Sequence, residues 1–148
     1  MHLVIVSGRS GAGKSSILRA LEDLSYYCID NLPLALIEEG IKFFNESSPK
    51  KNIAISIDIR TFGLLDKAPL VIMELKKKCS QVDIVFVNAQ EQTLIRRFSE
   101  TRRIHPLSKK SEIQDINQSL KEEATALAPL IEMATLVIDS STLSVHEL

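Results

Sequence analysis

The chain is most constrained near its start, where a short apolar run, a glycine-rich loop and an amphipathic segment follow one another. The apolar run is Leu3-Val4-Ile5-Val6. The loop is Gly8-Arg9-Ser10-Gly11-Ala12-Gly13-Lys14-Ser15, and it matches the whole Walker A pattern G-x-x-x-x-G-K-[ST]. After it, apolar residues recur with helical spacing at Ile17, Ala20, Leu21 and Leu24. Strand, loop and helix therefore stand in the order that a phosphate-binding loop requires.

The residue types in this loop suit a nucleoside triphosphate. Glycines let the backbone turn and approach anionic oxygens, so that its N–H groups can surround them. Lys14 adds a positive charge towards the β- and γ-phosphates, and Ser15 offers a hydroxyl to Mg²⁺. The partial positive charge at the start of the following helix favours the same ligand. The alternative, a glycine-rich turn that binds nothing, is disfavoured by the intact order of strand, loop and helix.

Length, charge and cysteine usage restrict the class of protein. The 148 residues suffice for one domain with a substantial core. The formal net charge is -1, so any attraction to polyanions needs a local patch. Cys28 and Cys79 form no C-x-x-C pair, which favours reduced, buried thiols and a cytoplasmic protein. The first apolar run is too short for a signal peptide, and no stretch approaches the length that crosses a membrane.

Strand-like and helix-like patterns alternate along the whole chain. The predicted strands are residues 3–6, 26–29, 53–59, 82–87 and 135–138. Helices are predicted after the loop, after Pro33, over 70–78, over 92–103 and over 113–131, where Pro129 should kink or divide the last one. This alternation favours an α/β fold over residues 1–148: a three-layer P-loop NTPase or nucleotide-kinase-like domain with a five-stranded parallel sheet. Ligands of such sheets bind at the carboxyl ends of the strands.

Two carboxylates end predicted strands at that ligand edge. Asp58 follows an apolar strand, the Walker B arrangement that reaches Mg²⁺ in P-loop proteins; otherwise it pairs with Arg60 or caps a turn. Arg60 and Thr61 come next and could face the nucleotide. Asp30 ends the second strand, where it would orient an acceptor hydroxyl in a kinase or cap the helix after Pro33. The residues alone leave both questions open.

Arginines are concentrated in one further segment. They are Arg96, Arg97, Arg102 and Arg103, with Lys109 and Lys110 shortly after. Guanidinium groups pair bidentately with phosphate oxygens, so the preferred interpretation is a lid that closes over the nucleotide. The alternatives are a contact with an RNA backbone and a solvated helix face that binds nothing.

Several segments together resemble the RapZ family of bacterial RNase adapter and nucleotide-binding proteins. They are V-I-V-S-G-R-S-G-A-G-K-S, L-E-D-L-S-Y-Y-C-I-D-N-L-P, D-I-R and R-R-F-S-E-T-R-R-I-H-P-L. The final D-S-S-T-L-S-V-H-E-L is similar to the junction between the two halves of the family's members. The D-N-L-P and T-R-R-x-H-P-L blocks are not general features of P-loop proteins, so the resemblance is specific. One departure is Asn88, where an aspartate would be more usual.

The resemblance implies an N-terminal domain that binds ATP and GTP and hydrolyses them slowly. It puts the ATP-binding loop at Gly8 to Ser15 and a guanine-nucleotide segment at Asp58, Ile59, Arg60 and Thr61. Family members act in the cytoplasm, where they deliver a small regulatory RNA to an endonuclease and so tune amino-sugar synthesis. RNA binding resides mainly in their C-terminal half, which would be absent from residues 1–148.

The leading hypothesis is a regulatory nucleotide-binding domain with weak ATPase or GTPase activity. Lys14 and Asp58 are its candidate catalytic residues, and Ser15 and Asp58 are its candidate Mg²⁺ ligands. Its partners would be a nucleoside triphosphate and, through the full-length parent, the RNA and the endonuclease; no membrane is involved, and assembly into a homo-oligomer stays open. The alternatives are a small-molecule or nucleotide kinase with Asp30 as base, and an RNA-binding or scaffold module without turnover.

Overall fold

The computed structural model describes residues 1–47, 52–57, 67–101 and 113–141. Its strands are β1 (His2–Gly8), β2 (Tyr27–Ile29), β3 (Ile53–Ile57), β4 (Gln81–Asn88) and β5 (Leu136–Asp139). Its helices are α1 (Lys14–Asp23), α2 (Leu34–Ser47), α3 (Ala68–Lys78), α4 (Glu91–Thr101) and α5 (Ile113–Met133). The predicted alternation is confirmed, with strand ends that move by one or two residues. The predicted continuation of β3 to residue 59 lies outside the described residues.

All five strands form one parallel sheet in the order β2-β3-β1-β4-β5. Strand β1 is central, and its Ser7 lies opposite Ile57 of β3 and Phe86 of β4. The chain fills one side of β1 before it crosses to the other, so the sheet has its topological switch beside β1. The glycine-rich loop leaves the carboxyl end of β1 and therefore lies at the middle of the ligand edge. The predicted fold class is confirmed.

Apolar side chains cover both faces of the sheet, because successive residues of a strand point to opposite faces. Leu3 and Ile5 belong to one buried cluster, which also contains side chains of α2, α3 and the second half of α5. Val4 and Val6 belong to the other cluster, with side chains of α1, α4 and Leu120 of α5. The result is the predicted arrangement of three layers, in which α5 contributes to both cores.

The buried face of α1 differs from the predicted one. Ile17 and Leu18 are buried, whereas Ala20 is exposed and the exposed fraction of Leu24 is 70%. Leu24 comes after the last helical residue, and the chain then turns at Ser25, whose φ is 71°. The apolar spacing therefore continues past the point where the helix ends.

Helix α5 is not divided by its proline. Pro129 lies inside one helix that runs from Ile113 to Met133. A proline removes its own N–H from the helix and crowds the preceding turn. Leu127 and Leu130, on either side of it, are fully buried, and this packing against the sheet holds the helix together.

At the amino ends of the strands, His2 links three segments that are distant in the sequence. Its Nδ1 atom lies 2.6 Å from the Tyr26 hydroxyl, and its Nε2 atom lies 2.7 Å from Oδ2 of Asp83. Gln81 donates a hydrogen bond to the same carboxylate oxygen at 2.7 Å. The sequence indicated no partner for His2. These contacts lie at the edge opposite to the glycine-rich loop and hold the sheet together.

The two cysteines form no disulfide; Cys79 is buried as predicted, whereas Cys28 is only half-buried. Desolvation by burial raises the pKa of both thiols, and the nearby Glu22 carboxylate raises the pKa of Cys28 further. Because the thiolate is the reactive form, we expect slow alkylation of both at neutral pH and faster alkylation as the pH rises. Cys28 should react before Cys79, which mass spectrometry after timed iodoacetamide treatment will show. Modification of Cys79 first, in folded protein, would contradict the burial described here.

Candidate functional site

The glycines of the loop are required by its backbone. Gly8, Gly11 and Gly13 have φ values of 154°, 86° and 118°, a region that residues with a side chain rarely adopt. Gly13 is the residue that directly precedes α1. Ala12 lies between the last two, is fully buried and donates its N–H to the Arg9 carbonyl at 3.0 Å. The loop therefore wraps tightly into the start of α1.

Gly8 also has no room for a side chain. A Cβ atom there would lie 2.2 Å from the Val87 carbonyl oxygen of β4. The same oxygen accepts a hydrogen bond from the Arg9 N–H at 3.2 Å. The first turn of the loop is thus pressed against the end of the neighbouring strand.

Lys14 and Ser15 open α1 at the carboxyl edge of the sheet. The half-buried Lys14 side chain folds back over the loop, and its Nζ donates to the Gly8 carbonyl at 3.0 Å. Ser15 is exposed. The first N–H groups of an α-helix have no acceptor within the helix, and they carry partial positive charge. An ammonium group, a hydroxyl and main-chain amides therefore lie close together in the chain at the start of α1, a set of groups that suits a chain of phosphate groups.

The second and third loop residues are attached to α5. Nη2 of Arg9 donates to the Leu120 carbonyl at 3.1 Å and lies 3.6 Å from Oε1 of Glu91. The N–H and hydroxyl of Ser10 donate to the two carboxylate oxygens of Glu123 at 2.8 and 2.6 Å. Arg9, Ser10 and Glu123 are all buried. These two loop side chains thus contact the supporting helix.

The guanidinium group of Arg97, on α4, donates hydrogen bonds to carbonyl groups of the loop. Its Nη1 donates to the Gly11 oxygen at 2.9 Å, to the Ser140 hydroxyl at 3.1 Å and more weakly to the Ala12 oxygen at 3.4 Å. Its Nη2 donates to the Ser140 carbonyl at 2.6 Å. Ser140 follows β5 and donates its hydroxyl to the Ala12 carbonyl. One arginine of the predicted lid is therefore a clamp between the loop and the end of β5.

The other arginines of that segment have different positions. Arg96 is exposed, and its Nε lies 3.9 Å from Glu100 one turn along the same helix. It is part of the solvated face that was one of the alternatives. Arg102 and Arg103 lie outside the described residues. The interpretation of the segment as a lid stays a prediction.

Asp30 directly follows β2, at the same edge of the sheet as the loop. Its Oδ1 accepts a hydrogen bond from the Ser56 hydroxyl at 2.5 Å, and that hydroxyl accepts from the Asn31 N–H at 2.6 Å. The hydrogen bond that the structure gives Asp30 thus comes from the neighbouring strand β3. The exposed carboxylate is held at the ligand edge.

Asp58, Ile59, Arg60 and Thr61 lie outside the described residues, so their roles stay predictions. Asp58 directly follows Ile57, the last residue of β3. Within the described ranges, no group of three or more His, Cys, Asp or Glu side chains is arranged to hold a metal ion. No helix in the described part of the chain has the length and apolar character needed to cross a membrane.

The sequence is similar to a known family over its whole length. The family described as the RapZ-like N-terminal domain matches residues 1–148. A nucleotide-binding protein of Vibrio vulnificus (strain YJ016) is 44% identical over 148 residues, which are 100% of this chain and 51% of that protein. A nucleotide-binding protein of Vibrio cholerae serotype O1 is 46% identical over 151 residues, with the same coverage of each. The chain thus spans about half the length of these relatives.

Solved structures of small-molecule kinases have a similar fold. A shikimate kinase from Bacteroides thetaiotaomicron aligns with a TM-score of 0.62 and 19% identity, over 96% of this chain and 88% of the kinase. A gluconokinase from Sinorhizobium meliloti aligns with a TM-score of 0.60 and 20% identity, over 99% of this chain and 86% of the kinase. At such identities the likeness shows the fold alone.

The close contact at Gly8 gives a test of the loop geometry. Gly8→Ala puts a methyl group against the Val87 carbonyl at a positive φ, so we expect the free energy of unfolding to fall by about 3 kcal/mol. Gly40→Ala in α2 is the matched control, because its Cβ would meet only a Leu32 methyl group at 3.6 Å. The control should be neutral or more stable by up to about 1 kcal/mol. Urea unfolding measures both, and equal stabilities of the two variants would refute the described loop.

Proposed function

Because the chain belongs to the family of RapZ-like N-terminal domains, we propose that it binds ATP and GTP with Mg²⁺ and hydrolyses them slowly. The observation that carries this proposal is the loop between β1 and α1. All three of its glycines have positive φ, and Lys14 reaches back across it to the Gly8 carbonyl. That arrangement presents amides and one ammonium group to an anion.

Each loop residue has a role in the proposed complex. The amides of Gly11 and of Gly13 to Ser15 would surround the β- and γ-phosphates, while the Ala12 N–H stays bound to the Arg9 carbonyl and Lys14 neutralises part of the phosphate charge. Ser15 and Asp58 would hold Mg²⁺, which when bound stabilises the charge on the phosphate oxygens. The segment from Asp58 to Thr61 would contact a guanine nucleotide. Lys14 and Asp58 are thus the proposed catalytic residues.

The position of Arg97 supports slow turnover. A free guanidinium group placed at the transferring phosphate can accelerate transfer by several powers of ten. Arg97 instead donates to carbonyl groups of the loop and to Ser140. Its hydrogen-bonding groups are used to shape the loop. Efficient hydrolysis would need another arginine, such as Arg102 or Arg103, to close over the phosphates.

For the whole protein, we propose the role of a cytoplasmic RNase adapter. Residues 1–148 would be its N-terminal nucleotide-binding module, since relatives of similar sequence are about twice as long. The other half would bind a small regulatory RNA and deliver it to an endonuclease, which tunes amino-sugar synthesis. Nucleotide occupancy would then regulate the adapter, with self-association as a further level of control.

A small-molecule or nucleotide kinase is the second candidate. The observation that favours it is the exposed Asp30 carboxylate, which Ser56 holds at the ligand edge of the sheet. A carboxylate near a bound triphosphate can accept the proton of an acceptor hydroxyl. The acceptor would then lie between Asp30 and the loop.

Replacing Lys14 tests the triphosphate site. Lys14→Ala removes the ammonium group, so we expect affinity for ATP and GTP in magnesium buffer to fall about 10- to 100-fold. Isothermal titration calorimetry measures the affinity, and thermal unfolding verifies that the variant is folded. Lys77→Ala on the exposed side of α3 is the control and should bind like the unmodified protein. Unchanged affinity in the Lys14 variant would contradict the proposed site.

A turnover assay separates the two candidate functions. With Mg-ATP alone, we expect slow release of inorganic phosphate, and addition of sugars or nucleosides should neither speed it nor yield a phosphorylated acceptor. Chromatography of the products provides the measurement. Rapid transfer that depends on an acceptor and is lost in Asp30→Asn would instead support the kinase.

A further inference from the structure

We propose that Glu123 is a positioning residue for the phosphate loop: by binding Ser10, it fixes the loop in the shape that receives a triphosphate. Glu123 lies on α5, 113 residues away from Ser10 in the sequence. The inference rests on the proposed nucleotide binding and adds to it a residue outside the Walker A pattern.

The burial of Glu123 is the first reason. Its side chain is fully buried, although glutamate is rarely removed from water without strong partners. Ser10 supplies two of them, a main-chain N–H at 2.8 Å and a hydroxyl at 2.6 Å. One carboxylate therefore restrains both the backbone and the side chain of the same loop residue.

The place of Ser10 in the loop is the second reason. Ser10 directly precedes Gly11, whose φ of 86° begins the stretch of loop up to Gly13, in which Gly11 and Gly13 but not Ala12 have a positive φ. When the Ser10 N–H is bound to Glu123, the chain enters this stretch in one orientation. The ligand would then bind the amide of Gly11 and the amides from Gly13 onward, because the Ala12 N–H already donates to the Arg9 carbonyl. A loop that already has its bound shape loses less conformational entropy when the ligand binds.

A second attachment sets the position of α5. Arg9 donates to the Leu120 carbonyl at 3.1 Å, and Leu120 precedes Glu123 by about one helical turn. Two successive loop residues are therefore attached to one side of α5. Glu123 cannot shift along the loop without breaking the Arg9 contact, so its carboxylate acts as a fixed anchor.

The experiment uses variants of similar size at position 123. Glu123→Met keeps the volume but accepts no hydrogen bond from Ser10, and we expect it to weaken binding of both triphosphates about 10-fold or more. Glu123→Gln is the conservative variant. Its amide oxygen can accept from the Ser10 N–H while its NH₂ donates to the hydroxyl, so it should restore most of the affinity. Glu122→Met is the matched control, since Glu122 is the exposed neighbour on the same helix.

Calorimetry with ATP and GTP in magnesium buffer gives the affinities, and circular dichroism shows which variants are folded. Folded Glu123→Met with unchanged or increased affinity would overturn the inference, because a purely structural role lowers stability alone. If Glu123→Met fails to fold, Ser10→Ala replaces it as the test, because it removes only the hydroxyl contact. Its affinity for the triphosphates should fall measurably, but by less than that of the Lys14 variant. Unchanged affinity overturns the inference. If the unmodified protein binds neither ATP nor GTP, the proposed function itself is refuted.

Discussion

The site depends on the contact between the first turn of the loop and the end of β4. Gly8 lies so close to the Val87 carbonyl that only hydrogen fits between them, and the next N–H binds the same oxygen. The parallel pairing of β1 with β4 aligns these two strand ends. The start of the loop is therefore set by the sheet, and the position of α1 follows from it.

In the rest of the loop, main-chain carbonyl groups and N–H groups are bound by different helices. The guanidinium group of Arg97 donates to the carbonyl oxygens of Gly11 and Ala12, and the carboxyl oxygens of Glu123 accept from the amide and hydroxyl of Ser10. Carbonyl groups that turn towards a guanidinium are turned away from the ligand. An anionic ligand requires this, because carbonyl oxygens would repel it. In the proposed complex, these contacts of Arg97 on α4 and Glu123 on α5 would leave amides near the start of α1 to face the phosphates.

Local patterns predicted the glycine-rich loop, the alternating elements and the parallel sheet, because each depends on spacing within a few residues. They failed where a periodic pattern continued beyond the end of its helix or strand. Leu24 continues the apolar spacing of α1 but lies after the end of that helix and is exposed. They also could not pair residues across the fold. Ser10 with Glu123 and Arg97 with Gly11 are separated by 113 and 86 residues, and one glutamate of the pair Glu122-Glu123 looks like the other in the sequence.

Ser140 joins the last described strand to the first loop, since its hydroxyl binds the Ala12 carbonyl across 128 residues of sequence. Together with the hydrogen bonds from Arg97 to Ser140, this contact connects β5, α4 and the loop in one hydrogen-bond network. During synthesis the loop emerges first, yet its clamp is complete only after β5 has emerged. The hydrogen bonds between Ser140 and the loop thus cannot form before β5 has been synthesised, and we expect the loop to reach its final shape together with the whole domain.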